Sequence, residues 1–201
     1  MTVDVAVVGA GIAGLSTAWE LVRQGREVTV LEAGRVAAGV TGHTTAKPSA
    51  LHTLVYDHLR RTRGPEGARL YADSQTAAIR HASEIVDELG IDCEREETAA
   101  YTYAEDPRRV AELRAEAEAA HEAGPPAELV TETELPFAVA GAVRVSGQAQ
   151  FHPRKYLLAR TDDLPGAAAR CTREPASSAS PRANPASCGR TPGCPFARAR
   201  S

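Results

Sequence analysis

The chain has 201 residues, a formal net charge of −3, 43% hydrophobic residues and 24% charged residues. This length suits one substantial domain and part of a second, and so small a net charge gives no reason to expect a nucleic-acid partner. The apolar run Val3–Val8 is too short to span a bilayer or to form the core of a signal peptide. We therefore expect no membrane span, no export and a cytoplasmic location. The four cysteines form no C-x-x-C or C-x-H pair, and no metal site is predicted.

The composition changes abruptly at residue 165. From Pro165 to Ser201 there are six Pro, six Arg and three of the four Cys, with no Val, Ile, Leu or Met. Such a segment cannot build a hydrophobic core. The sequence thus predicts a folded domain over residues 1–164 and a disordered low-complexity Pro/Arg/Ala/Ser tail over residues 165–201. Two origins of the tail stay open: a shortened or frameshifted product, and a genuine basic tail.

The first elements read as strand, tight turn, helix and strand. Val3–Val8 is a short Val-rich run of the kind found in parallel strands that are buried on both faces. Apolar residues then recur at helical spacing over Ile12–Gln24, and Gly25 follows where a helix cap is expected. Val28–Leu31 supplies the second strand. This order predicts a parallel βαβ unit.

The later elements are read from periodicity and from cap residues. Asp106 and Pro107 mark a helix start, because Asp caps the first amides and Pro suits the first turn. The Ala, Glu and Arg composition of that helix predicts a largely solvated face with internal ion pairs. The full set of later predictions is helices over 51–61, 65–89, 108–123 and 153–164 and strands over 98–103 and 142–145.

The clearest motif is a G-x-G-x-x-G that leaves the first strand and opens the first helix. Gly9 permits the tight turn, Gly11 lets a pyrophosphate approach the backbone, and Gly14 allows close packing of helix and strand. The helix N-terminus supplies partial positive charge. Glu32 closes the next strand about 20 residues further on, where an acidic residue accepts hydrogen bonds from ribose hydroxyls. This predicts a dinucleotide site that includes Gly9, Ala10, Gly11, Ile12, Ala13, Gly14 and Glu32.

The loop after Glu32 favours FAD over NAD as the dinucleotide. It is dense in small and hydroxyl-bearing residues, which can lay backbone N–H groups and hydroxyls along a pyrophosphate or a flavin. An NAD-binding domain usually continues directly into its next helix. The alternative is a mobile surface loop. The loop residues predicted to contact the cofactor are Ala33, Arg35, Gly39, Thr41, Gly42, His43, Thr44 and Thr45.

Two stretches make the sequence resemble the D-amino-acid-oxidase-like family of FAD-dependent oxidoreductases. Val3–Tyr56 resembles the start of that family, and Gly147–Tyr156 is similar to a mid-chain segment that introduces a helix. The resemblance implies an α/β fold, namely a Rossmann-like FAD-binding βαβ domain with inserted helices and an incomplete second half. Some relatives with this type of loop carry a C-terminal Rieske domain, which this sequence lacks.

By the same resemblance, Glu32 binds the adenosine ribose, and Arg35 with the 39–45 loop contacts the pyrophosphate or the ribityl chain. His43 falls where some members bond a histidine covalently to the flavin; the alternative is a loop histidine that hydrogen-bonds the backbone. Lys47 is either a positive charge near the flavin or a solvated lysine. The remaining helix-region histidines are expected to be structural or exposed, namely His52, His58, His81 and His121.

The activity that the resemblance implies is FAD-dependent oxidation of the C–N bond of an amine or amino acid. The family's substrate-orienting groups lie mostly beyond the position of residue 165, so no catalytic residue is assigned here. Two other functions stay open, namely a dinucleotide-binding fragment without catalysis and an NAD-dependent dehydrogenase domain.

Overall fold

The computed structural model describes residues 2–44 and 47–164, so the predicted tail lies outside the described residues. The chain forms five strands and four helices in this part, joined by loops and two short 3-10 turns. In chain order they are β1 (Val5–Val8), α1 (Ile12–Arg23), β2 (Val28–Leu31), a 3-10 turn (Val40–His43), α2 (Val55–Leu89), β3 (Glu96–Ala104), a 3-10 turn (Pro107–Arg109), α3 (Val110–Ala123), β4 (Ala127–Val130), β5 (Gly141–Gln150) and α4 (Pro153–Asp163).

The first three elements form the predicted βαβ unit. β1 and β2 are parallel, with Val5 opposite Val28 and Val8 opposite Leu31. Residues of α1 pack against this pair and bury Trp19. The expectation that β1 is buried on both faces was wrong, because side chains alternate across a strand and Val8 is 83% exposed. In the described part of the chain, only one face of this strand packs against the core.

A second sheet is antiparallel, with strand order β3-β5-β4. The two strands predicted at 98–103 and 142–145 are both present and longer than expected, and they pair with each other from Glu96 opposite Gln150 to Ala104 opposite Gly141. β4 was not predicted. It has four residues after two prolines, too few to show a periodicity in the sequence.

The predicted helices 51–61 and 65–89 form one kinked element. α2 begins at Val55 rather than at residue 51, and Gly64 interrupts its helical backbone with φ +75° and ψ 173°. Pro65 follows directly, and its missing N–H and fixed φ suit the first turn of the second segment. The helix ends at Gly90 in the left-handed conformation, as the sequence indicates.

The prediction of a largely solvated α3 was wrong. This helix packs against α2, β4 and β5. Alanines spaced along one face allow close approach of the neighbouring elements. The predicted Asp106 cap is confirmed, since its carboxylate accepts the Arg108 N–H at 2.9 Å. The buried residues of α3 are Leu113, Glu116, Ala117, Ala119, Ala120 and Ala123.

The described residues bury two apolar clusters. One surrounds α1 and the parallel strands and includes Cys93 and Leu157, and the other fills the space between α2, α3 and the antiparallel sheet. A hydrogen bond of 2.6 Å from the Ala50 N–H to Gln148 Oε1 ties the chain before α2 to β5. Across residues 2–44 and 47–164, no helix has both the length and the apolar character needed to cross a membrane.

Candidate dinucleotide site and adjoining cavity

The glycine turn joins β1 to α1 in the conformation that its sequence predicts. Gly9 has φ +96°, a region that glycine reaches without strain, and its N–H donates to the Leu31 carbonyl at 2.7 Å. A Cβ on Gly14 would overlap the Gly9 carbonyl oxygen. The third glycine is therefore required for α1 to start this close to the end of β1.

Glu32 lies beside this turn, at the end of β2. Its carboxylate accepts the Ala10 N–H at 2.8 Å and the Gly34 N–H at 2.7 Å. The hydrogen bond from Ala10 is the larger of two effects that hold the pKa of Glu32 below its usual range, and the hydrogen bond from Gly34 is the other. The carboxylate is thus charged at neutral pH and is fixed next to the first amides of the turn.

The loop after Glu32 returns to the N-terminus of α1. The Ala37 N–H donates to the Ala10 carbonyl at 2.9 Å, and the Ile12 N–H donates to Thr41 Oγ1 at 3.2 Å. A Cβ on Gly11 would lie 3.3 Å from the same hydroxyl oxygen. A Thr hydroxyl therefore lies against the backbone amides that the sequence assigns to a pyrophosphate, next to the place that a side chain on Gly11 would take.

The other predicted site residues are less closely connected to the turn. Arg35 and His43 are exposed, and among the described residues neither hydrogen-bonds to it. Gly42 lies on the same 3-10 turn as Thr41, and a Cβ there would lie 2.9 Å from the Ala37 carbonyl oxygen. Ala33, Gly39 and Thr44 are exposed, and Thr45 lies outside the described residues.

A cavity of about 560 Å³ adjoins the dinucleotide turn. Ile12 belongs to both, and the cavity extends from there between α1, α2 and α4. Its walls are mainly apolar, with Ile79, Ala82 and Phe151 among them, and Lys47 and His52 also line it. Its size and its apolar walls are typical of small-molecule and cofactor sites.

A charged cluster lines the side of the cavity next to α1. The Arg160 guanidinium is buried over the Trp19 ring, 4.5 Å from its centroid, and Nη1 donates to Ser16 Oγ at 2.9 Å. Glu20 Oε1 lies 2.6 Å from His81 Nε2 and 3.9 Å from Arg160 Nη2. The Glu20 carboxylate thus lies between His81 and Arg160, and Arg160 Nε and Nη2 have no hydrogen-bond partner among the described residues.

His52 has a partner that sequence spacing did not reveal. Its Nδ1 lies 2.9 Å from the Tyr71 hydroxyl, which is on the following helix. Burial, with a smaller contribution from Glu116, raises the pKa of Tyr71, so this hydroxyl keeps its proton. Thr53, the next residue, has φ +55°, a costly conformation for a β-branched residue and one that occurs at functional sites. The description of His52 as a helix-face residue was wrong, because α2 begins only at Val55.

A glycine turn between a parallel strand and a helix, with a carboxylate at the end of the next strand, defines the class of dinucleotide-binding βαβ proteins. The sequence matches the DAO family, described as FAD dependent oxidoreductase, over residues 4–190. The chain belongs to this family of FAD-dependent oxidoreductases, as the resemblance in its sequence implied.

The protein YhfW of Bacillus subtilis (strain 168), which is named as a Rieske 2Fe-2S iron-sulfur protein, is 39% identical over 161 residues. The match includes 80% of this chain and 32% of YhfW. The gamma-glutamylputrescine oxidoreductase of Escherichia coli (strain K12) is 31% identical over 94 residues, which are 47% of this chain and 22% of that protein. The chain therefore spans about a third or less of the length of these relatives.

Solved structures show the same fold. Glycine oxidase from Bacillus cereus ATCC 14579 superposes with a TM-score of 0.62 at 18% identity, over 85% of this chain and 46% of that one. L-amino acid deaminase from Proteus vulgaris gives a TM-score of 0.64 at 18% identity, over 85% and 39% of the two chains. The likeness confirms the predicted Rossmann-like α/β fold.

Proposed function

We propose that the glycine turn, Glu32 and the 39–45 loop bind FAD, and that the chain acts as the FAD-binding part of an enzyme that oxidises the C–N bond of an amine or amino acid. The observation that carries the proposal is the Glu32 carboxylate fixed 2.8 Å from the Ala10 N–H, beside the glycine turn at the start of α1. The family and the names of its relatives support the type of reaction.

The residues present fit the cofactor. The amides at the N-terminus of α1 suit the pyrophosphate, since a helix N-terminus attracts negative charge and Gly11 has no side chain to block approach. Glu32 suits the ribose hydroxyls and would repel the 2′-phosphate of NADP. When bound, FAD supplies the acceptor for a hydride from the carbon next to nitrogen. The protein supplies binding, orientation and exclusion of water.

The site assignment is tested by replacing Glu32 with Ala. Loss of hydrogen bonds between a charged carboxylate and the ribose is expected to weaken FAD binding by about 10- to 100-fold. The measurement is FAD titration followed by flavin absorbance. Glu27→Ala is the matched control, because Glu27 is an exposed glutamate at the other end of β2. Equal FAD affinity of the two variants would contradict the assignment.

The pH dependence of this contact has a definite sign. The folded protein holds the pKa of Glu32 below that of an ordinary glutamate. The carboxylate is therefore charged at every pH above the ordinary glutamate pKa and becomes protonated only in stronger acid. The difference in FAD affinity between the wild type and Glu32→Ala is thus expected to stay constant from pH 8 to about pH 5. A difference that shrinks within this interval would show that another group controls recognition.

Two further measurements distinguish the alternative functions. Preferential thermal stabilisation by FAD over NAD supports the flavin assignment, and the reverse preference would indicate an NAD-dependent domain. Reduction of a dye by candidate amines or amino acids supports catalysis, whereas an FAD-loaded protein without turnover would be a binding part only.

Flavin retained in the pellet after acid precipitation would support a covalent bond to His43, and its complete release would exclude one.

A further inference from the structure

The cavity beside the dinucleotide turn carries one positive charge that nothing in the described residues neutralises. Among the described residues of its wall Glu20 is the only acidic one, and that carboxylate is engaged by His81 and Arg160. Lys47 is exposed on the same wall, and within residues 2–44 and 47–164 it has no ion-pair partner. The cavity is therefore suited to an anionic group near Lys47.

His52 is a second polar side chain on this wall. The Tyr71 hydroxyl lies 2.9 Å from His52 Nδ1, and in the tautomer in which Nδ1 accepts this hydrogen bond the ring carries its hydrogen on Nε2. In the part of the chain that the structure describes, Nε2 has no hydrogen-bond partner.

We propose that Lys47 and His52 form a carboxylate-binding site in this cavity, for a ligand whose apolar body packs on Ile79, Ala82 and Phe151. The role of this site as a substrate site rests on the proposed function. Ile12 belongs to both the cavity and the dinucleotide turn, so a ligand in the cavity would lie next to the turn. In that role, the two residues select an apolar amino acid over a simple amine. A planar carboxylate accepts hydrogen bonds from two donors at once, which an uncharged amide does less well.

The test is calorimetric titration of the full chain with 3-phenylpropanoate, and with 3-phenylpropanamide as its uncharged match. The carboxylate is expected to bind at least 10-fold more tightly than the amide, and added salt is expected to weaken its binding. Lys47→Met is expected to reduce carboxylate affinity about 10-fold or more. Lys155→Met is the matched control, because Lys155 is the one other lysine of the sequence and pairs with Glu94 away from the cavity.

A second variant keeps the test valid if Lys47→Met disturbs the loop. His52→Phe retains a ring on the wall but removes Nε2–H, and a several-fold loss of carboxylate affinity is expected, with a smaller loss of amide affinity. Equal affinity of Lys47→Met and Lys155→Met for the carboxylate, or equal affinity of the wild type for carboxylate and amide, would overturn the proposal.

Parallel titration with FAD separates this inference from the proposed function. If FAD binds and 3-phenylpropanoate does not, the carboxylate site is wrong and the proposed function stands. If 3-phenylpropanoate binds with the expected dependence on Lys47 and FAD does not bind, the carboxylate site stands and the proposed function fails. If FAD displaces the carboxylate competitively, Lys47 serves the cofactor's phosphates and the proposal is overturned.

Discussion

Gly14→Ala is expected to abolish detectable FAD binding and to lower the free energy of unfolding by about 3 kcal/mol. The added Cβ would overlap the carbonyl oxygen of Gly9, which is backbone and cannot rotate away. Relief requires α1 to move away from the end of β1. Such a movement separates the helix amides from Glu32 and from the turn, so stability and cofactor binding are lost together.

The measurement combines urea unfolding with FAD titration. Gly141→Ala is a suitable control, because it adds the same methyl group at a glycine that is buried in β5. There the nearest atoms are side-chain carbons of Leu113, Val110 and Leu129 at 3.6–3.8 Å, which is ordinary van der Waals contact. A Gly14→Ala protein as stable as Gly141→Ala, with wild-type FAD affinity, would show that the turn does not hold the geometry described.

Glu116→Ala is expected to lower the free energy of unfolding by about 3 kcal/mol, although Glu116 lies far from the dinucleotide turn in sequence. The carboxylate is completely buried on α3 and accepts the N–H groups of Tyr56 and Asp57, each at 2.8 Å. These amides belong to the first turn of α2 and have no partner within their own helix. Truncation leaves one buried and one part-buried donor without this acceptor, and an unsatisfied buried donor costs about 1–3 kcal/mol.

Glu118→Ala is the control, because Glu118 is an exposed glutamate on the same helix. Its free energy of unfolding is expected to change by less than about 0.5 kcal/mol. Glu116→Gln keeps an acceptor for one amide and is expected to lose about half as much as Glu116→Ala. If Glu116→Ala and Glu118→Ala unfold at the same urea concentration, the contact between α3 and the start of α2 is not a stabilising cap.

The difference in stability between the wild type and Glu116→Gln depends on pH because Glu116 is buried. Burial, with Asp57 nearby, raises the pKa of Glu116, so the folded state holds the proton more tightly than the unfolded chain does. The stability that this group contributes is full below the ordinary glutamate pKa and falls as pH rises through the raised value. The advantage of the wild type over Glu116→Gln is therefore expected to be largest in acid and to shrink toward neutral pH.

The βαβ unit and its turn were predictable because their signals are local. A strand, three glycines at fixed spacing, a helical periodicity and an acidic residue all fall within the first 32 residues. The role of Gly14 follows from the same short segment. The contact of Thr41 with the Ile12 N–H, in contrast, depends on how the loop after Glu32 folds back, and the sequence indicates only that hydroxyls are present.

The cavity and the caps between elements could not be predicted for a different reason. His52, in the loop before α2, meets Tyr71 on α2, and Glu116 on α3 meets the amides of Tyr56 and Asp57, so no spacing in the sequence connects these partners. One signal was present in α3, where Leu113, Ala117 and Ala120 recur at helical spacing and mark a buried face. The many charges of that helix obscured this narrow stripe of small residues.

The measurement that tests the central claim most directly is the visible absorption spectrum of the purified protein, incubated with FAD and then freed of unbound cofactor by gel filtration. The account predicts a two-banded flavin spectrum that elutes with the protein and is lost or strongly reduced in Glu32→Ala. A folded protein that stays colourless and cannot be loaded with FAD would contradict it.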